Sequence, residues 1–343
     1  MKKFVRDILL FCIPVFALVL AYIATDIFRV VRHYDPHYTG HYCVETNRAY
    51  GSTMTYINQN PSRHYDSFIF GNSQSLNYRI DSWKHHLPEG CRCMHFDEFG
   101  GSIGGVHDKI AYIDKSGGKL RNVLLVVDDV LLSRLEQTQG YLFVEPPILK
   151  GYRNLVDFHV QHFEAFLNLK FLTAWADYRL TGKIRPYMGH LIRDVQLTYI
   201  PETNEIQETP ADLAIEAGTY YDEQHVKVFE GVQRPGTFST EHLDEKALEL
   251  LTDIRRIFDK HHTNYKIVVS PQYHQVKLNR DSYQRLCQIF GESHVYDFSG
   301  VNKWNQDYHY YYETAHYRPN RRRRNHGHHL QARVAPPPLY TLL

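Results

Sequence analysis

The stretch Tyr65-Asp-Ser-Phe-Ile-Phe-Gly-Asn-Ser-Gln-Ser75 decides the fold, because it joins an apolar strand to a turn of small residues. The pattern predicts a strand over residues 66–70 and, directly after it, a sharp turn that presents Ser73. Ser75 is a rival for the presented serine, but the strand ends at Gly71, which favours Ser73. The sequence therefore predicts a serine at the carboxyl end of a buried strand.

Strands and helices alternate on either side of a long interruption. Further strands are predicted at 92–96, 122–127, 265–270 and 294–298, and helices at 75–86, 106–114, from about 240, and around 282–290. This alternation predicts an α/β fold, a three-layer sandwich with a central parallel sheet and helices on both faces. The interruption, at about 135–239, contains two candidate helices at about 153–169 and 171–181. It is expected to form a largely helical insertion, either as a substrate pocket or as a structural cap.

The composition excludes several classes of protein. Hydrophobic residues make up 43% of the 343 residues and charged residues 22%, so the chain is expected to fold. A net charge of +1 gives no general attraction to nucleic acid, and no nucleic-acid partner is expected. The five cysteines lack the spacing of a zinc site, and neither a metal nor a cofactor is predicted.

The amino-terminal segment predicts a membrane anchor. Lys2, Lys3 and Arg6 precede a run from Ile8 to Thr25 that carries no charge. At ~1.5 Å per residue, such a helix is about long enough for a hydrocarbon layer of ~30 Å. A cleaved signal peptide is the alternative, but the run is long for one and no clean cleavage site follows. We therefore expect an uncleaved single-pass helix. Its positive end stays in the cytoplasm, which puts the domain that follows about residue 28 outside the cytoplasm.

These observations divide the chain into four parts. We expect a cytoplasmic stub and transmembrane helix at 1–28, a stalk or linker at 29–60, and the α/β domain at 61–319. Residues 320–343 form a basic, proline-rich tail without helical or strand periodicity. We interpret this tail as the product of a frameshift, which resequencing from independent DNA would test.

Chemically useful side chains follow the predicted strands at one edge of the sheet. Ser73 follows the first strand, and a glycine-rich loop (residues 99–105) follows the second. Asp128 and Asp129 follow the third strand, where they either cap a helix or form salt bridges, and their role stays open. Glu313 and His316 lie beyond the last strand. A serine with a histidine and an acid has the composition of an activated nucleophile, although Ser73 could also merely cap the next helix.

With these motifs, residues 62–134 and 241–319 resemble the SGNH (GDSL-type) hydrolase superfamily, and most of all its membrane-anchored bacterial branch, which is associated with O-acylation of cell-envelope polymers. Gly71-Asn72-Ser73 stands where that family has Gly-Asp-Ser, so the resemblance implies that Ser73 is the nucleophile. It further implies that His316 is the base and Glu313 its acidic partner. The backbone N–H groups of Ser73 and Gly101 would form the oxyanion hole.

The implied function is a serine esterase or O-acyltransferase that acts on acyl esters, most simply acetyl esters, of cell-envelope glycans. Its place would be the bacterial inner membrane, with the domain in the periplasm and a membrane-bound O-acyltransferase as a partner. Three positions depart from the family. Asn72 replaces an aspartate, Glu313 replaces an aspartate, and Asp128 stands where the family has an oxyanion-hole asparagine. Asn72, Asp128 and the atypical tail favour an alternative, a catalytically inactive relative that binds glycan or assists a membrane acyltransferase, whereas Ser73, Glu313 and His316 favour catalysis.

Overall fold

The structure is a computed structural model that describes residues 2–136 and 139–318. The tail from residue 320, with its proposed frameshift, lies outside the described residues. The strands are β1 (His41–Tyr42), β2 (Ser67–Phe70), β3 (Cys93–His95), β4 (Asn122–Val127), β5 (Val195–Gln196), β6 (Thr198–Ile200), β7 (Glu205–Gln207), β8 (Asn264–Val269) and β9 (Val295–Asp297). The helices are α1 (Lys2–Thr25), α2 (Arg48–Arg63), α3 (Ile80–Lys84), α4 (Ile103–Lys115), α5 (Asp129–Ser133), α6 (Leu155–Leu167), α7 (Leu169–Thr181), α8 (Thr209–Glu216), α9 (Glu223–Lys227), α10 (Glu245–Lys260) and α11 (Arg280–Phe290).

A five-stranded parallel sheet forms the centre of the molecule, in the order β3-β2-β4-β8-β9. The predicted α/β class with a central parallel sheet is confirmed. Strand β4 begins and ends where the sequence predicts, and all six of its residues are buried. The strand order reverses between β2 and β4, and in open α/β sheets ligands bind outside the carboxyl ends of the strands at such a switch point. Ser73 follows one of these two strands and Asp128 follows the other.

The two faces of the sheet are covered in different ways. Alternation places Phe68 and Phe70 in one core cluster and Ile69 in the other. The first face packs against α4, α10 and α11, as the three-layer prediction requires. The second face is covered by the short helix α3 and by aromatic side chains from irregular segments, namely Phe229, Tyr273, Tyr311 and Tyr317.

The helix predicted at 75–86 is split into two shorter pieces. A 3-10 turn spans Ser73–Asn77, and α3 follows as a separate helix of five residues. Side chains compete with the backbone here, since Ser75 Oγ donates to the Asn72 carbonyl at 2.7 Å and Asn77 Nδ2 donates to the Gln74 carbonyl at 3.1 Å. Such local hydrogen bonds favour turns over continuous helix.

The stretch at 29–60, expected to be a linker, differs from that expectation because it contains most of α2. Asn47 caps this helix by accepting the Tyr50 N–H at 2.8 Å. Tyr56 is buried in the first-face core and stacks on Phe96 with ring centroids 5.4 Å apart. The hydrophobic pattern of the sequence does not predict this helix, because many of its buried side chains are polar or small. They include Arg48, Ser52, Thr53 and Thr55.

The predicted insertion packs onto the amino-terminal segment. Helices α6 and α7 lie close to their predicted bounds and contribute to a third apolar cluster. Within this cluster the ring of Tyr22 contacts Phe163 at 5.5 Å, and that of Phe28 stacks on Phe171 at 5.4 Å. Strand β1 also pairs with β5 of the insertion. These contacts attach the insertion to residues that precede β2, the first strand of the central sheet.

Helix α1 covers the segment predicted to be a membrane anchor and has Pro14 inside it. Within residues 2–136 and 139–318, no helix combines the length and the hydropathy needed to cross a membrane. Several large apolar side chains of α1 are nevertheless exposed, namely Phe4, Leu10, Ile13, Val15, Phe16, Leu18, Leu20 and Ile23.

Candidate active site

The turn that follows β2 presents Ser73 at the switch point of the sheet. We call residues 71–77 the nucleophile turn. Gly71 has a φ of 153°, and a Cβ atom there would lie 2.5 Å from the Val126 carbonyl oxygen, so the turn requires glycine. Asn72 then caps the 3-10 turn, because its side-chain oxygen accepts the Gln74 N–H at 3.0 Å. Ser73 is the first residue of this turn and is half-buried.

Ser73, His316 and Glu313 form one connected chain of contacts. His316 Nε2 lies 2.7 Å from Ser73 Oγ, and His316 Nδ1 contacts the Glu313 carboxylate. Because a carboxylate accepts hydrogen bonds, Nδ1 carries the hydrogen and Nε2 is left to accept the serine proton. This is the geometry of a nucleophile beside a base that is itself oriented by an acid. The structure brings together the three residues that the sequence selects.

Glu313 is held in its ionised form by its surroundings. Burial acts to raise its pKa, but hydrogen bonds from His316 outweigh that effect, and the pKa lies below its ordinary value. The carboxylate also accepts the backbone N–H groups of Ala315 at 2.9 Å and His316 at 3.0 Å. Glutamate, one methylene longer than aspartate, still reaches the imidazole because both residues sit on the same short turn.

This second turn, residues 311–317, is called the base turn here. Its two ends pair as an antiparallel bridge between Tyr311 and Tyr317, both of which are buried in the second-face core. The Tyr312 N–H also donates to the His316 carbonyl at 2.8 Å. At the tip, by contrast, the side chains of His316 and Glu313 are 36% and 44% exposed. The base turn therefore has fixed ends and a tip that a substrate can reach.

Hydroxyl groups from the insertion hold the base turn in place, and the sequence analysis missed them. Tyr221 donates to the Tyr311 carbonyl at 2.6 Å, and Tyr220 donates to the Tyr312 carbonyl at 3.0 Å. In the opposite direction, the Tyr312 hydroxyl donates to Asp212 of α8 at 2.6 Å. These tyrosines lie in a polar stretch without periodicity, so no local pattern marks them as partners of residues about ninety positions away.

Asn72 and Asp128, two of the departures from the family, are partners of each other. Asn72 Nδ2 donates to Asp128 Oδ2 at 2.7 Å across the switch point. The other oxygen of Asp128 accepts the Leu131 N–H at 2.6 Å and so caps α5. Burial raises the pKa of Asp128 despite these hydrogen bonds. Asn72 and Asp128 thus form one amide–carboxylate contact that joins the turn after β2 to the start of α5.

Asp129 joins a different part of the molecule. Its carboxylate accepts a hydrogen bond from Ser239 Oγ at 2.6 Å, at the point where the insertion returns to the sheet. A second oxygen accepts the Val130 N–H at 3.0 Å. Both open assignments are therefore resolved as hydrogen-bonding roles: Asp128 caps a helix, and Asp129 binds the end of the insertion.

The glycine-rich loop after β3 is shaped by a buried ion pair. Glu98 lies 2.7 Å from Lys109, and both side chains are 1% exposed. Glu98 also accepts the Ser102 N–H at 3.0 Å. A Cβ atom on Gly101 would lie 2.5 Å from the Glu98 carboxylate, which explains the glycine at this position. The role of Gly101 as an oxyanion donor stays a prediction.

No protein-family model, no curated protein and no solved structure matches this chain. Among residues 2–136 and 139–318, no cluster of three or more His, Cys, Asp or Glu side chains could hold a metal ion. The interpretation of the site therefore depends on its own geometry, together with the motif resemblance drawn from the sequence.

Proposed function

We propose that this protein is an acyl-transfer enzyme of the SGNH type, with Ser73 as nucleophile, His316 as base and Glu313 as the acid that orients it. The observation that carries the proposal is the contact of 2.7 Å between Ser73 Oγ and His316 Nε2, with Glu313 on the opposite ring nitrogen. A serine that merely capped a helix would not need a histidine from 243 positions away.

The reaction would proceed through an acyl-serine. His316 takes the Ser73 proton as Oγ attacks the ester carbonyl carbon, and Glu313 stabilises the imidazolium that forms. The ester C–O bond then breaks, and His316 returns the proton to the departing alcohol. In the second half, water or a sugar hydroxyl attacks the acyl carbon while His316 takes its proton. The bond between the acyl carbon and Ser73 Oγ then breaks, and His316 returns the proton to Oγ. The N–H groups of Ser73 and Gly101 are the candidate donors to the oxyanion, each worth on the order of 10²–10³ in rate.

The substrate we propose is an acyl ester, most simply an acetyl ester, of a cell-envelope glycan. This part rests on the resemblance of the motifs to the envelope O-acylation branch. Water as the acceptor gives an esterase, and a polymer hydroxyl gives an O-acyltransferase that could work beside a membrane-bound partner. The exposed tip of the base turn leaves room for a large acceptor.

We further propose that the reaction takes place outside the cytoplasm, with α1 holding the protein at the inner membrane. The uncharged run from Ile8 to Thr25 and the exposed apolar side chains of α1 support this location. Flotation of the full chain with vesicles of phosphatidylethanolamine and phosphatidylglycerol tests the association. A full chain that stays at the bottom of the gradient would remove the location from the proposal and leave the chemistry untouched.

A fluorophosphonate probe tests the nucleophile directly. The full chain should be labelled at Ser73, as mapped by mass spectrometry, and both Ser73→Ala and His316→Ala should lose the label. His261→Ala is the matched control, because His261 pairs with the Asp114 carboxylate as His316 pairs with Glu313 but lies just before the amino end of β8. Circular dichroism on each variant confirms that it is folded.

The outcomes separate the two functional classes. Labelling at Ser73 that depends on His316 and not on His261 supports the enzyme, and acetylated envelope glycans then become the substrates to assay. A folded protein that is never labelled contradicts it and favours the catalytically inactive glycan-binding alternative. Labelling at another serine would contradict the assignment of Ser73.

A further inference from the structure

A buried ionic network lies next to the nucleophile turn and is not used by the proposed chemistry. Arg48 of α2 binds Asp97 through two hydrogen bonds, Nε to Oδ2 at 2.8 Å and Nη2 to Oδ1 at 2.5 Å. Both side chains are fully buried. Arg48 also donates to the Asn204 carbonyl of the insertion at 2.6 Å. The network therefore joins α2, the loop after β3 and the insertion.

His95 connects this network to the nucleophile turn. It is the last residue of β3, and its side chain is 1% exposed. Nδ1 lies 3.1 Å from Asp97 Oδ1, and Nε2 lies 2.9 Å from the backbone carbonyl oxygen of Ser75. Ser75 is two positions from Ser73, and its N–H and hydroxyl both donate to the Asn72 carbonyl.

Both ring nitrogens of His95 face groups that can only accept. A backbone carbonyl has no hydrogen to donate, so Nε2 must carry one. Asp97 accepts two hydrogen bonds from the Arg48 guanidinium, so its carboxylate is ionised and has no hydrogen to donate. Nδ1 therefore also carries a hydrogen. A neutral imidazole would point a lone pair at one of these two oxygens in a site without water-exposed surface.

From these contacts we propose that His95 is a buried imidazolium that positions the nucleophile turn by donating to the Ser75 carbonyl. The protonation state stands on its own geometry, and the positioning role rests on the proposed function of Ser73. His95 does not contact the reacting atoms in this arrangement. It acts through the backbone that carries Ser73.

The surrounding polar groups accommodate the charge. Arg48, His95 and Lys109 contribute three positive charges, and Asp97 and Glu98 contribute two negative charges. Backbone carbonyls stabilise the excess, since those of Ser75, Asp97 and Asn204 accept hydrogen bonds from His95, Lys109 and Arg48 respectively. A buried cation that has hydrogen-bonded partners on all its donors is far less costly than an isolated one.

The protonation state is measured first, on the unsubstituted full chain. Nitrogen-15 NMR of ring-labelled histidine at pH 7.5, with His95 assigned through its Overhauser contacts to Ser75, should give both ring nitrogens in the imidazolium range. One nitrogen at the shift of an unprotonated imidazole nitrogen would overturn the proposal. This measurement needs no enzyme activity, so its failure is distinct from failure of the proposed function.

The positioning role is tested by His95→Gln beside His162→Gln. His162 is a matched control, because it is equally buried and its Nδ1 donates to a backbone carbonyl, that of Phe158, at 2.7 Å, but it lies in the insertion. His95→Gln should lower the maximal rate of Ser73 labelling by roughly 10- to 100-fold with little change in the probe concentration at half-saturation. His162→Gln should change that rate less than about twofold, if the effect belongs to the turn and not to burial in general.

Urea unfolding of both variants supplies the check on structure. A folded His95→Gln that labels at the rate of the unsubstituted protein would overturn the positioning role. Equal loss of labelling rate in both variants would do the same, because it would attribute the effect to general destabilisation. If His95→Gln does not fold, the NMR result on the unsubstituted chain still decides whether the buried imidazolium exists.

Discussion

The nucleophile turn and the base turn meet at one hydrogen bond, yet they are held in opposite ways. The nucleophile turn continues directly from β2 and is fixed from below by the buried groups of Asp128 and His95. The base turn has an exposed tip and is held from outside by the hydroxyls of Tyr220 and Tyr221. The sheet and the groups beneath it therefore position Ser73, whereas the insertion positions His316. Substitutions in the insertion can therefore alter catalysis without disturbing the sheet.

The largest effect is expected at the tip of the base turn, with Glu313→Gln. An amide can donate to Nδ1, which would put the hydrogen of His316 on the wrong nitrogen, and comparable changes in triads cost up to about 10⁴-fold in rate. The rate of Ser73 labelling should fall on the order of 10²–10⁴-fold, while Glu216→Gln, at an exposed position on α8, should leave it unchanged. A variant that labels normally would remove Glu313 from the mechanism.

The pH dependence of stability follows from the same residue. The pKa of Glu313 is depressed in the folded protein, so its contribution to stability is complete above the ordinary glutamate pKa. It is lost as the pH falls through the lowered value. Glu313→Gln should therefore flatten the acid limb of the unfolding free energy, as measured by urea unfolding between pH 3 and pH 6 at about half-unit steps.

The next effect is expected beneath the nucleophile turn, with Arg48→Ala. Removal of Arg48 leaves Asp97 as a buried carboxylate without its main partner, which typically costs about 3–5 kcal/mol. Arg193→Ala is the control, because Arg193 forms an ion pair with Glu45 and is 48% exposed, where such pairs contribute about 0–1 kcal/mol. Urea unfolding measures both. Equal losses for the two variants would contradict the view that the network under the serine is the more rigid support.

A smaller effect is expected where the two strands meet at the switch point. Asn72→Asp places a second carboxylate against Asp128, at a position where the present contact is 2.7 Å. We expect a loss of about 1–3 kcal/mol at pH 7, with partial recovery as the pH falls, because one carboxyl of the pair then takes a proton. The double exchange Asn72→Asp with Asp128→Asn should recover most of the loss. A double variant no more stable than the single one would contradict the pairing.

The smallest effect is expected from Tyr221→Phe, which removes a hydroxyl that donates to the Tyr311 carbonyl. A hydrogen bond of this kind contributes about 1 kcal/mol net, so the labelling rate should fall only a few-fold, by about 2- to 5-fold. Tyr187→Phe removes a comparable hydroxyl, bonded to Asp177 on the exposed side of the insertion, and should not change the rate. A rate unchanged in both variants would mean that the insertion does not position the base.

Much of the sheet could be predicted from the sequence, because β2, β4 and β8 each contain a run of consecutive apolar residues. Strand β4 is an example, and it brings Asp128 to the edge where Ser73 lies. The residues of the triad were also accessible, since each follows a recognisable element or a short motif. Helix α2 was not, because Arg48 and its polar neighbours are buried through hydrogen bonds that no hydrophobic period reveals.

Hydrogen bonds between residues that are far apart in the sequence could not be predicted either. A hydrogen bond from Tyr221 to the base turn depends on how the insertion folds back over the sheet, and no local spacing encodes it. The same holds for His95, because its proposed role depends on the Asp97 carboxylate, two positions away, and on the Ser75 carbonyl, twenty positions away. The chain has 22 histidines, so the presence of a histidine at a position did not by itself indicate a functional role.

The separation of Ser73 and His316 along the chain also has a consequence during synthesis. The two residues lie 243 positions apart, so the ribosome makes the serine long before the histidine that activates it. At roughly 5–20 residues per second, that interval is on the order of 10–50 s. During that time the nascent chain carries an ordinary, unreactive serine. For the acyl-transfer enzyme that we propose, this chain order means that Ser73 cannot be activated before His316 has been synthesised.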